Sequence, residues 1–266
     1  MTGAGDEATG AGYGTAGYGT AGIIGEGPDA ARGTTAGVGT EATGGNADRD
    51  RRVLPLVVRI ERSAPPERTD ALEAAALAVL ALLDDPRALD DGEWAGEVRI
   101  WDGGRFRKVV RRARGAEWRR VLDLPGLTVT SGTAEVRVHP PVPLDGWPKD
   151  LSRLQVSGTE LADSSDPGPP GDVVLRLNPG LTMSAGKAMA QAGHAAQLAW
   201  QASGDDARRA WRDKGLAVSV RIADPAAWAG LVTSGLPVVR DAGFTEIEPG
   251  SRTVVADAPW LRGGGR

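Results

Sequence analysis

Apolar side chains are spread unevenly along the 266 residues. Positions 1–50 offer only Ile23, Ile24 and Val38 as branched aliphatics, and their Gly/Ala/Thr repeat AGYGTAGYGTAG has no helical or strand period. Such a segment cannot bury enough surface to offset roughly 1–2 kcal/mol of backbone entropy per residue, so it reads as a disordered tail. From Val53 the pattern changes. LPLVVRI (54–60) is β-branched and bounded by polar residues, as a strand should be, and Thr69-Asp70 is expected to cap an Ala/Leu-rich helix that stops before Pro86. A strand or hairpin through Val98–Ala113, a short helix near Glu117–Leu122 and a strand pair between Leu127 and Val138 follow. Residues 139–172 are rich in Pro, Asp, Ser and Gly, and DSSDPGPPGD reads as a linker.

A second periodic block starts at Asp172. Val173–Leu177 is a strand; Ser184 opens a long helix to about Gln201; Asp205–Lys214 is a second helical piece. Ala217–Ile222 is a strand, and Asp224-Pro225 supplies an N-cap and a proline at the first helical position for the helix that follows. Leu236–Val239, a loop over 241–251 and a strand at Thr253–Ala256 close the block. The order βααβαβ-loop-β implies a mixed sheet with flanking helices.

The two blocks align. LVVRI lies over VVLRL, Trp118 opposite Trp228 and Gly126 opposite Gly235. The expected fold class is therefore α/β: two tandem small units, each a mixed β-sheet flanked by helices. The tail spans 1–50, a degenerate first unit 51–150, the linker 151–171 and the second unit 172–262. The first unit lacks a counterpart of the 241–251 loop, and an ungapped overlay sets Asp70, Ala74 and Leu77 opposite Lys187, Gln191 and His194. Chemistry is thus expected in the second unit alone. Units this small bury only about 60% of their unfolded surface, which favours docking of the two on each other as an intramolecular pseudo-dimer, with a homodimer as the other arrangement.

Composition narrows the chemistry. The chain has no Cys, which removes disulfides, thiolate metal sites and a Cys nucleophile. Two His are too few for a His-rich metal cage, and no metal or cofactor is expected. No apolar run approaches the roughly 18 residues of a membrane span, and no secretory leader is evident, so a soluble, cytoplasmic protein is the expectation. The net charge of −4 belongs to the tail, which holds seven acids against Arg32 and Arg49. Residues 172–266 hold eleven basic and nine acidic residues. Further cations lie in the first unit at Arg107, Lys108, Arg111, Arg112, Arg114, Arg119 and Arg120.

The helix opened by Ser184 carries the candidate site. At about 100° per residue, Lys187, Gln191 and His194 fall at roughly 0°, 40° and −20°, along one stripe, among small alanines. A cation in a first helical turn opposes the macrodipole unless an anion lies beside it. GLTMSAGKA fails as a phosphate-cradling loop, because five residues separate Gly180 from Gly186 and Ala188 stands where a Ser or Thr would hold magnesium.

The run LTMSAGKAMAQAGHAA (181–196), with RDAGFTEIEPGSRTVVADAP (240–259), resembles the two signature segments of type 2 peptidyl-tRNA hydrolases. The resemblance spans Val173–Pro259 and implies an enzyme that cleaves the ester joining a peptide to the 3′ ribose of tRNA, with the acceptor end of peptidyl-tRNA as partner. It makes Lys187, His194 and Asp241 the expected catalytic residues, and Ser184, Gly186, Gln191, Gly243 and Thr245 the expected substrate-binding ones. In that scheme His194, oriented by or exchanging protons with Asp241, activates water, while Lys187 and the helix start hold the oxyanion or a phosphate. The chain departs from the pattern at Ala185 and Phe244, where basic residues are usual, which weakens phosphate binding. A non-catalytic tRNA- or protein-binding module of the same fold is the alternative.

Overall fold

The computed structural model describes residues 51–104, 107–243 and 246–262. The expected tail, and Phe244 and Thr245 of the signature loop, lie outside the described residues.

The N-terminal half runs β1 (Arg52–Arg59), α1 (Arg68–Asp84), α2 (Ala95–Asp102), β2 (Arg107–Ala113), α3 (Gly115–Leu122), β3 (Leu127–Ser131), β4 (Ala134–Val138), the short β5 (Val142–Pro143) and α4 (Lys149–Ser152). The C-terminal half runs β6 (Val174–Leu177), α5 (Ala185–Ala202), α6 (Asp205–Asp213), β7 (Ser219–Ile222), α7 (Pro225–Thr233), β8 (Val238–Arg240) and β9 (Arg252–Asp257). The first sheet has the order β2-β1-β4-β3 with β5 also on β1; the second has the order β7-β6-β9-β8. In both, the first strand pairs parallel with the second and antiparallel with the last, so the two halves share one mixed topology. Among the described residues no helix is long and apolar enough to cross a membrane.

The Ala-rich composition of α1 and α5 explains where they sit. A helix apolar all round must be covered all round. Each packs on its own sheet on one side and on the other helix on the other, and small side chains permit the close approach. The result is one apolar core shared by both halves. Each helix also reaches the outer strand of the opposite sheet. On α1, Glu73 accepts from the Val220 amide of β7 at 2.9 Å, while α5 packs on β2. On the far face of the first sheet, α3 and α4 cover a smaller cluster of Val57, Ala113, Trp118, Val121, Leu151 and Leu154.

Two expectations need correction, and the connecting segment makes contacts of its own. Residues 98–102 are helical, not a strand: α2 turns Val98 and Trp101 inward, and the Trp101 indole donates to the Arg107 carbonyl at 3.0 Å. Thr69 and Asp70 lie inside α1, which begins at Arg68 after Glu67. The segment expected as a plain linker is fastened to both halves. Asp163 accepts from the Thr69 amide at 2.7 Å, and Thr159 accepts from the Gly186 amide at 3.0 Å. These are the second amides of α1 and α5. Four residues of extended chain reach about 14 Å at most, so the two helices start at the same end of the molecule. Arg68 confirms this by donating to the Met183 carbonyl at 3.5 Å.

Candidate active site

Helix α5 begins where a side chain makes it begin. Ser184 is the N-cap and accepts from the Lys187 amide at 3.2 Å, leaving Lys187 in the first turn. The Ser184 hydroxyl and amide are themselves held by the two carboxylate oxygens of Glu246, at 2.6 and 2.8 Å. The 241–251 loop is thereby tied to the helix start.

The loop is shaped by its glycines. Gly243 has φ +75°, and a Cβ there would lie 2.3 Å from Pro249 Cγ, so both the backbone conformation and the space demand glycine. Its amide donates to Asp241 Oδ1 at 2.7 Å. Asp241 is anchored further by amide–carbonyl bonds to Ser251 and Gly250.

The two signature segments meet at that carboxylate. Lys187 Nζ lies 2.6 Å from Asp241 Oδ2, and Gln191 Nε2 donates to the same oxygen at 2.7 Å. The Gln191 carbonyl accepts from the Thr253 hydroxyl at 2.5 Å. Lys187 and Asp241 are only 3% and 1% exposed, and Gln191 and Thr253 are fully buried. An ammonium and a carboxylate taken out of water persist only when paired and hydrogen-bonded, and this pair is both. Thr253 was not anticipated from sequence; only its place two residues past the loop, on β9, could have marked it.

Gly186 is close-packed rather than specially folded: a Cβ would sit 2.8 Å from the Thr159 hydroxyl. That hydroxyl occupies the amide which a ligand at the helix start would otherwise use.

His194 lies on the expected stripe but in other company. Its Nδ1 is 3.1 Å from Lys108 Nζ, on β2 of the N-terminal half, whereas Asp241 is held by Lys187 and Gln191. His194 and Asp241 thus each have partners of their own along one helix. The reason is register: β2 enters beside α5 at Gly193, two residues past Gln191. Burial, then the Lys108 and Lys187 charges, hold the His194 imidazole well below the usual histidine range, so the neutral ring is favoured.

The first-unit cations are largely committed. Lys108 is buried; Arg111 donates to the Ser152 and Leu154 carbonyls at 3.1 and 2.5 Å and stacks on Trp147; Arg112 donates to the Ser157 carbonyl at 2.9 Å. Arg119 and Arg120 are exposed. In the N-terminal half the position equivalent to Lys187 holds Asp70, which accepts from the Thr133 amide at 2.7 Å and hydroxyl at 2.8 Å. There the tight β3–β4 turn sits on its own helix start.

Residues 172–262 match the family model for peptidyl-tRNA hydrolase PTH2, in agreement with the resemblance read from the two signature segments. Neither the curated proteins nor the solved structures give a match.

Proposed function

We propose that the C-terminal half hydrolyses the ester between a peptide and the 3′ ribose of tRNA. The observation that carries this reading is the convergence of both signature segments on the Lys187–Asp241 pair. Water adds to the ester carbonyl, the bond to the ribose oxygen breaks, and a peptide acid and a tRNA 3′ hydroxyl leave. Asp241 is the group that orients the water and takes its proton, which passes to the departing ribose oxygen; Lys187, Gln191 and the Gly243 amide fix where the carboxylate stands. Lys187 supplies positive charge for the developing oxyanion. Ser184, Gly186 and Gly243, with Thr245 outside the described residues, take the substrate-binding roles that the family resemblance implies. His194 is the imidazole behind Lys187, and its neutral form adds no charge of its own beside that ammonium.

On this reading Asp241→Asn lowers turnover of a purified peptidyl-tRNA by at least about a hundredfold, measured as release of free tRNA. Wild-type turnover that survives this change removes Asp241 from the role. The non-catalytic reading has its own support, since the ion pair is buried and Thr159 covers Gly186. Binding of peptidyl-tRNA by the full chain with no tRNA released selects it.

A further inference from the structure

Lys108 is a fully buried lysine, and α5 is shaped around it. Its stem lies along the helix at Gly193, where a Cβ would stand 3.2 Å from Lys108 Cδ and 3.0 Å from Val79 Cγ2. Around Nζ the structure places three acceptors: His194 Nδ1 at 3.1 Å, the Gln197 carbonyl at 2.5 Å and the Trp101 ring, whose centroid is 4.8 Å away. Each of these accepts from an ammonium. Gln197 passes the network on, donating to Asp102 at 2.5 Å, and Gln201 donates to the same carboxylate oxygen at 2.8 Å. The charge thus has a carboxylate one residue removed, which offsets part of the burial that draws the Lys108 ammonium down.

We infer that Lys108, supplied by the N-terminal half, is a positioning residue for His194: by donating to Nδ1 it holds the imidazole as the neutral Nε2–H tautomer. The half without reactive groups thereby sets the state of a side chain in the other. An ammonium on Nδ1 blocks protonation at that nitrogen, and a proton on His194 would set a further cation near the Lys187 ammonium. Among the described residues, the charges bearing on the ring include Lys108 from β2, Lys187 from α5 itself and, through Gln197, Asp102 from α2. Other charges on the packed elements are turned elsewhere: Asp70 to Thr133, Glu73 to Arg221, Asp84 to Arg212, Asp257 to Arg262.

The chain has two histidines, so imidazole nitrogen resonances test this directly on the full-length 15N-labelled protein, with His139→Gln assigning the second ring. His139 is an internal control of opposite kind, since its Nδ1 donates to the Pro125 carbonyl at 2.7 Å. His194 is expected as the Nε2–H form, unprotonated throughout pH 5–8. An Nδ1–H form, or protonation near the ordinary pH of about 6.5, overturns the inference without recourse to any variant. In Lys108→Met, the His194 tautomer becomes mixed or its protonation moves to higher pH; an unchanged spectrum overturns it equally.

The consequence for turnover rests on the hydrolase reading. In Lys108→Met, kcat at neutral pH falls on the order of tenfold with KM unchanged, and its acid limb moves to higher pH. An unmoved limb beside an altered spectrum ends the positioning role in catalysis. Absence of wild-type turnover ends the hydrolase reading and leaves the spectroscopic result standing.

Discussion

Single positions in this protein are constrained by what approaches them rather than by their own propensities. Gly193, mid-helix, is worth about 1 kcal/mol less than alanine there, yet Gly193→Ala is expected to lower the melting temperature, because Lys108 is pinned by its three acceptors and cannot withdraw. Gly186→Ala drives a methyl against the Thr159 hydroxyl and destabilises the fold; Thr159→Ala relieves the crowding, so in denaturant titrations the double variant loses less than the sum of the singles. His139 carries a pH dependence of its own. Burial lowers its folded pKa to about 4, below the ordinary 6.5, so it contributes stability above pH about 6.5 that is lost as the pH falls toward 4. The span corresponds to about 3 kcal/mol, and His139→Gln flattens that part of the stability profile.

Among elements, those legible in the sequence were the ones whose signals are local. Ser184 caps α5 as read, Asp224 accepts from the Ala226 amide with Pro225 behind it, and β1, β6 and β9 fall where β-branched runs predicted them. Asp224→Ala is expected to cost about 1 kcal/mol by chemical unfolding. What escaped the reading was long-range. VRIW looks like a strand until Trp101 finds the β2 backbone, and α1 gets its N-terminal partner from Asp163, 94 residues away. The site divided the same way. The helical stripe of Lys187, Gln191 and His194 follows from spacing alone, and the family resemblance supplied Asp241. Neither could show that the stripe is split at Gly193, its upper part facing a carboxylate and its lower part a lysine from another sheet.

At the scale of the whole molecule, the shared core sets what can be separated from what. The faces of α1 and α5 that meet would both be bared if the halves parted, and α5 would also lose Lys108 and Thr159. Residues 172–262 expressed alone are therefore expected to self-associate in sedimentation experiments; a folded, monodisperse monomer would show that the second half needs no cover. The matching strand orders, β2-β1-β4-β3 and β7-β6-β9-β8, make that cover a unit of the same topology. The third residue of each long helix differs in what it meets: Asp70 is seated on its own hairpin, whereas Lys187 presents an ammonium to a loop.

Thr159 and Asp163 give the chain between the halves the character of a clasp, closing on the first turns of two helices at once. A protease nick in the exposed stretch 165–171 leaves the clasp shut. A nick between 159 and 163 divides it, leaving Thr159 on the chain of the first half and Asp163 on that of the second, each held to the opposite half's helix start by hydrogen bonds alone.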